Sequence, residues 1–300
     1  MKTVIEVEGE DIRRPSERPP KTNWKVELIK KGLTVLQHAS PKATAEIIWH
    51  YFTMPGKTRF TENQIRLLKH AHTSQTSYKG DLIKSYRWGN GSAKVLVCHG
   101  WRSKAADFRK IIETFVEEGY TVEGLDLRAH GNSEGKHTAL PEYRDILKNH
   151  IAKNGPYDII IGYSIGALAS GIVLSEMGKA FHPRHYYLIA GPPYVRYFFK
   201  DIVEDVGCNE AVYEAMTQLV KTHYGQSIDY FDLRIKNSEL KYLSTHLIYC
   251  EDDQIIPFEK GLELEECMPH ASFVHTKGLG HYKIISNTAV IDYIVKSSSK

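Results

Sequence analysis

The feature that most constrains the fold is a set of short apolar runs with no polar face, of which Val95-Leu96-Val97 and Ile159-Ile160-Ile161 are the clearest. Side chains alternate between the two faces of a strand, so a run apolar at every position must be covered on both sides. Such runs fit a parallel sheet between two layers of helices and do not fit a half-exposed antiparallel sheet. From about residue 81 they alternate with helical stretches. The expected strands are Leu82–Trp88, Lys94–Cys98, Thr121–Asp126, Tyr157–Gly162, His185–Ala190, His246–Cys250 and Ser272–Thr276. Helical spacing fills about 105–118, 141–153, 165–177, 258–268 and 282–296.

Two regions break this alternation. Residues 1–22 hold Arg13-Arg14-Pro15 and Pro19-Pro20 and read as a loose arm, followed by an N-terminal helical segment over 23–80. In that segment Val26, Ile29, Leu33 and Leu36 recur at helical spacing, and Ser40-Pro41 supplies an N-cap and a first-turn proline for a second helix that Pro55-Gly56 closes. The second region, 192–242, has no convincing strand and many aromatic residues, among them Tyr194, Tyr197, Phe198, Phe199 and Tyr224. It reads as a helical cap inserted into an α/β core formed by 81–191 and 243–300. Its rings either form an apolar binding surface or pack the cap itself.

With 300 residues, 42% of them hydrophobic and 25% charged, the chain can bury a full core. A formal charge of +3, with basic and acidic residues interleaved, argues against a nucleic-acid partner. Cys98, Cys208, Cys250 and Cys267 are widely spaced and form no C-x-x-C pair, so neither zinc nor a disulfide framework is expected. No signal-like or membrane-spanning apolar stretch is evident, and the expected location is cytoplasmic. Nothing in the sequence decides the oligomeric state, and a homodimer through the N-terminal helices is one arrangement to test.

The chemistry is read from Gly162-Tyr163-Ser164-Ile165-Gly166, which follows an apolar strand directly and leads into Ala167-Leu168-Ala169. A strand, a sharp turn and a helix are the context in which G-x-S-x-G presents a serine, and the glycines relieve crowding between strand and helix. A serine hydroxyl needs a base to take its proton and a carboxylate to orient that base. His281, in Gly278-Leu279-Gly280-His281, follows the last expected strand and is the candidate base, with His275 and His270 as rivals. The acid is expected after the preceding strand, in Glu251-Asp252-Asp253-Gln254-Ile255-Ile256-Pro257, where Asp253 is favoured over its two neighbours because Ile-Pro turns the loop inward. An oxyanion needs backbone donors, for which Trp101 and Ile165 are the candidates. Trp101, Tyr163 and Tyr194 are the expected substrate contacts.

With these motifs the chain resembles the α/β-hydrolase family over roughly residues 81–297. The matching segments are His99-Gly100-Trp101, Asp126-Leu127-Arg128-Ala129-His130-Gly131-Asn132-Ser133, the serine turn, the acid loop and the Gly-Leu-Gly-His loop. It departs from the family at Ala129, where glycine is common, and at Cys250, where glycine often precedes the acid. The resemblance implies an α/β-hydrolase fold, with His99, Asp126, Arg128 and His130 bracing loops beneath the site. It also implies a serine hydrolase acting on a carboxylic ester without metal or cofactor. A serine in place of aspartate at the turn argues against epoxide hydrolase and haloalkane dehalogenase chemistry. Thioesterase, lysophospholipase, acyltransfer and perhydrolase activities remain within the enzyme class. The rival from another class is a non-catalytic ligand-binding protein on the same fold.

Overall fold

The computed structural model describes residues 2–6 and 24–299. The strands in chain order are β1 (Lys2–Glu6), β2 (His72–Tyr78), β3 (Asp81–Trp88), β4 (Lys94–Cys98), β5 (Thr121–Asp126), β6 (Ile159–Tyr163), β7 (His185–Ile189), β8 (Ser244–Cys250) and β9 (Ser272–Lys277). They form one sheet in the order β1-β9-β8-β7-β6-β4-β5-β3-β2. Pairing is parallel from β1 to β5, while β3 pairs antiparallel with both β5 and β2. All seven strands anticipated from the apolar runs are present within two residues of the expected ends.

The other two strands carry no such signal. β2, His-Thr-Ser-Gln-Thr-Ser-Tyr, is exposed along nearly its whole length and is held by its pairing with β3 rather than by burial. β1 is a short edge strand, Lys-Thr-Val-Ile-Glu, laid parallel to β9 within the stretch read as a loose arm. Met1 and residues 7–22 of that stretch lie outside the described residues.

The runs that are apolar on both faces behave as the physics of a sandwiched sheet requires. Val95, Leu96, Val97, Ile159, Ile160 and Ile161 are all essentially inaccessible to solvent. Val95, Val97, Ile159 and Ile161 share one apolar cluster with Ile111, Ile112 and Phe115 of the helix Arg109–Glu117 and with Val290, Ile291 and Ile294 of the helix Thr288–Ser298. On the other side the helices Leu140–Asn154 and Ile165–Glu176 lie against each other.

The chain divides into two compact units. One holds Pro55–Pro193 and Leu233–Lys300 together with β1, and so contains the entire sheet. The other contains the helices Trp24–Ala39 and Pro41–Phe52 together with Tyr194–Asp232, which folds mainly as the helices Arg196–Asp205 and Glu210–Tyr224. In this second unit Ser40 Oγ accepts the Ala43 N–H at 3.1 Å, capping the helix that Pro41 opens. The unit's aromatic residues pack on one another: Trp49 stacks on His223 at 6.0 Å and meets Phe199 edge-on at 5.9 Å. Gln37 ties the layers together, its Oε1 accepting the Asn209 N–H at 2.7 Å. Among the described residues no helix is long and apolar enough to cross a membrane.

Candidate active site

β6 ends at Tyr163 and the helix Ile165–Glu176 begins two residues later, so Ser164 alone must reverse the chain. It does so with φ 55° and ψ −132°, a conformation that costs an L-residue on the order of 1–3 kcal/mol. The flanking glycines are required by space. A Cβ at Gly162 would stand 2.5 Å from Ala167 Cα, and one at Gly166 would stand 2.3 Å from the His99 carbonyl oxygen. The loop after β4 passes equally close, since a Cβ at Gly100 would lie 2.7 Å from Ser164 Cβ.

His281 follows β9 through Gly278 (φ 81°) and Gly280 (φ 58°), both in the left-handed region that glycine tolerates best. Its Nε2 lies 3.2 Å from Ser164 Oγ and its Nδ1 lies 2.7 Å from Asp253 Oδ2. A carboxylate only accepts, so Nδ1 carries the proton and Nε2 is left to accept from the serine hydroxyl. Asp253 is held in turn by its other oxygen, which accepts the N–H groups of Ile255 and Ile256 at 2.8 Å each. Serine, histidine and aspartate are all at least 93% buried.

The rival groups have other partners. Asp252 Oδ2 accepts the Gly278 N–H at 2.6 Å. Glu251 pairs with His275 at 2.9 Å and with Lys277 at 3.4 Å. His270 is exposed in the turn before β9. Of the three adjacent carboxylates, Asp253 is the one bonded to His281.

Ile165 is the first residue of its helix, so its amide has no partner one turn back and sits at the positive end of the helix dipole. Trp101 is half-buried, and its ring packs on His130 at 5.5 Å and on Tyr143 at 6.3 Å. Beneath it His99 is fully buried. Its Nε2 accepts the Leu127 N–H at 2.9 Å, so its Nδ1 donates to the Gly100 carbonyl at 2.8 Å and joins the end of β4 to the end of β5. His130 repeats the pattern, accepting the Arg102 N–H at 3.1 Å and donating to the Arg128 carbonyl at 2.9 Å. Burial, and then the neighbouring His99, push the His130 imidazole down to about 3; burial also lowers His99. Both rings are therefore neutral, as two hydrogen-bond acceptors must be.

Asp126 accepts from the Ala105 and Asn132 amides and from the Tyr86 hydroxyl at 2.8–3.0 Å. Arg128 bridges Asp81 and Glu142. Ala129 has φ 65°, which accounts for the glycine that α/β hydrolases commonly carry there. At the other departure, Cys250 Sγ accepts the Gly280 N–H at 3.2 Å.

Tyr163 and Tyr194, two of the expected substrate contacts, each have partners within their own unit. Tyr163 is only 3% exposed, and its hydroxyl donates to the His281 carbonyl at 2.9 Å, so it faces the histidine loop and not a cleft. Tyr194 belongs to the helical unit, where its ring meets Tyr197 edge-on at 5.4 Å. Tyr143, in the first turn of the helix Leu140–Asn154, belongs to no motif that would single it out in the sequence. Its hydroxyl lies 3.1 Å from His130 Nε2. A cavity of about 430 Å³ lined by Asn63, Arg66, Trp88, Arg109, Glu113 and Val116 contains none of these groups. Its arginines are engaged by Asn63 and Glu113.

Comparison with known structures decides the fold. The chain superposes on the Pyrococcus furiosus esterase Pf2001 with TM-score 0.58 and 21% identity, covering 82% of this chain and 96% of that one. The fold is that of the α/β hydrolases. A bromoperoxidase from Bacillus anthracis shares the α/β-hydrolase arrangement with TM-score 0.58 and 15% identity, over 76% of this chain and 99% of that one. Residues 89–182 match the family model described as serine aminopeptidase, S33. An uncharacterised hydrolase of Bacillus subtilis, YugF, is 24% identical over 240 residues, which is 64% of this chain and 85% of the relative. The matched stretch runs from just after β3 through the serine turn.

Proposed function

We propose that the protein is a serine hydrolase that cleaves carboxylic esters through an acyl-enzyme. The observation that carries the reading is the imidazole of His281, bonded on one side to Ser164 Oγ and on the other to Asp253. In this mechanism Ser164 attacks the acyl carbon while His281 Nε2 takes its proton. The tetrahedral oxyanion is received by the amides of Ile165 and Trp101, and His281 returns the proton to the leaving alcohol. Water then enters, His281 again acts as base, and the carboxylate is released. Asp253 accepts from His281 Nδ1 and holds the imidazolium in place. The half-buried Trp101 offers an apolar surface beside the serine, which suits a small or medium apolar acyl or aryl group. The four cysteines are free thiols, in keeping with a cytoplasmic location.

A fluorophosphonate probe tests the reading, because it reacts with an activated serine and the Ser164→Ala variant controls for labelling elsewhere. The wild type is expected to take one label, at Ser164, and Ser164→Ala to take none. A folded wild-type protein that takes no label would turn the assignment toward a ligand-binding module. A series of nitrophenyl esters of rising chain length then sets the acyl preference.

A further inference from the structure

We infer that Tyr163 is a positioning residue whose hydroxyl sets the distance between base and nucleophile; the inference rests on the serine-hydrolase reading. His281 lies in the short helix Gly280–Lys283, which is reached through two glycines in left-handed conformations, so the segment leading to it has little stiffness of its own. Two side chains fasten this segment on the acid side: Asp252 receives the Gly278 N–H and Cys250 receives the Gly280 N–H. Both residues belong to the end of β8 and the loop after it, as Asp253 does. These bonds keep the imidazole with its carboxylate and do nothing to hold it near the serine.

The link to the serine comes from the residue beside it. Tyr163 is the last residue of β6, next to Ser164, and its hydroxyl donates to the carbonyl of His281 itself at 2.9 Å. Its ring lies 5.0 Å from the imidazole and is braced edge-on by Phe108 at 6.4 Å. Tyr163 therefore ties the backbone of the base to the strand that carries the nucleophile, across 118 residues of sequence. At 3% exposure it is closed to substrate. A defect at this position falls on the chemical step and not on binding.

Tyr163→Phe keeps the ring and removes only the donor. With a nitrophenyl ester, and with active sites counted by titration, kcat is expected to fall roughly ten- to a hundredfold while KM stays within about twofold. The nitrogen NMR resonance of His281 Nε2 is expected to move toward its position in Ser164→Ala, while that of Nδ1 stays. Wild-type kcat per titrated site, or a rise in KM without loss of kcat, overturns the inference. An inert wild type would end the hydrolase reading; the Nε2 resonance then decides the brace, and an unmoved resonance in Tyr163→Phe overturns it.

Discussion

At the C-terminal ends of the parallel strands the His281 imidazole stands between a carboxylate at 2.7 Å and a hydroxyl at 3.2 Å. Near the N-terminal ends of β7 and β8 another buried imidazole, His246, stands between the Tyr293 hydroxyl at 2.8 Å and Ser244 Oγ at 3.4 Å. Tyr187 stacks on it at 4.5 Å, and His185 lies 5.8 Å away. The two rings are 6% exposed each, so burial does not tell them apart. What differs is the polarity of the partners. His281 has a fixed carboxylate acceptor on one nitrogen and a hydroxyl donor on the other, an arrangement that suits proton transfer. His246 has neutral hydroxyls on both sides and a second histidine in place of a carboxylate. A buried hydrogen-bonded histidine is thus a catalytic candidate only when its partners can stabilise the charge it acquires.

Backbone strain separates the same two ends. Among the described residues the non-glycine ones with left-handed φ are Lys79, Arg102, Ala129, Ser164 and Ala190. Arg102, Ala129, Ser164 and Ala190 follow β4, β5, β6 and β7, and Lys79 lies in the β2–β3 turn, which extends past the end of β5. Among the described residues the opposite end has no such conformation. Strain collects where loops must bring groups from several strands together, while the other end is packed for stability.

The sharpest way to break the comparison is to remove each imidazole. His281→Ala is expected to lower kcat for ester hydrolysis on the order of 10⁴-fold or more, with little change in thermal unfolding. His246→Gln is expected to lower the unfolding midpoint and leave kcat within about twofold. Steady-state kinetics and thermal melts on both variants decide it; comparable losses of kcat would mean that the N-terminal cluster supports the chemistry.

A smaller effect is expected from acid. Burial first, and the neighbouring His185 second, lower His246 from 6.5 to about 4; burial and Arg184 lower His185. The native state therefore binds protons less readily than the unfolded chain. Stability is complete above about pH 6.5 and is lost as pH falls from there toward 4. For His246 the loss is about 2 kcal/mol at pH 5. Urea unfolding at pH 7 and pH 5 is expected to show a smaller pH difference for His246→Gln than for the wild type, and equal differences would place the acid sensitivity at His99 and His130.

Much of this was legible in the sequence, and the limits have physical causes. Runs such as Ile159-Ile160-Ile161 announce buried strands because nothing polar interrupts them, and the serine turn announces itself because sterics admit only glycine on either side. β2 stayed hidden because a strand with both faces in solvent has no hydrophobic period. Asp253 was separable from Asp252 only through the turn made by Ile256-Pro257, since three adjacent carboxylates look alike in composition. The placement of Tyr163 could not be read at all: the second position of G-x-S-x-G has no fixed identity, and its contact lies 118 residues away.

The mildest test asks whether strain at the Ser164 end of the sheet matters wherever it occurs. Lys79 and Gly80 form a two-residue hairpin turn with φ 50° and 87°, the pattern of a type I′ turn, in which Asn-Gly is favoured. A lysine in the left-handed region costs about 1 kcal/mol relative to a residue that tolerates it. The ion pair of Lys79 with Glu142, at 3.2 Å and half exposed on the lysine side, returns roughly half of that. Lys79→Asn is therefore expected to stabilise the protein by about 0.5 kcal/mol and leave kcat and KM unchanged, as read by urea unfolding and ester hydrolysis. Glu142 keeps its bond to Arg128 in that variant, so the loop after β5 stays in place. If relaxing this turn lowered kcat, the role of strain in the proposed reaction would be shared across the whole Ser164 end; if kcat holds, that role is confined to the loops that touch Ser164.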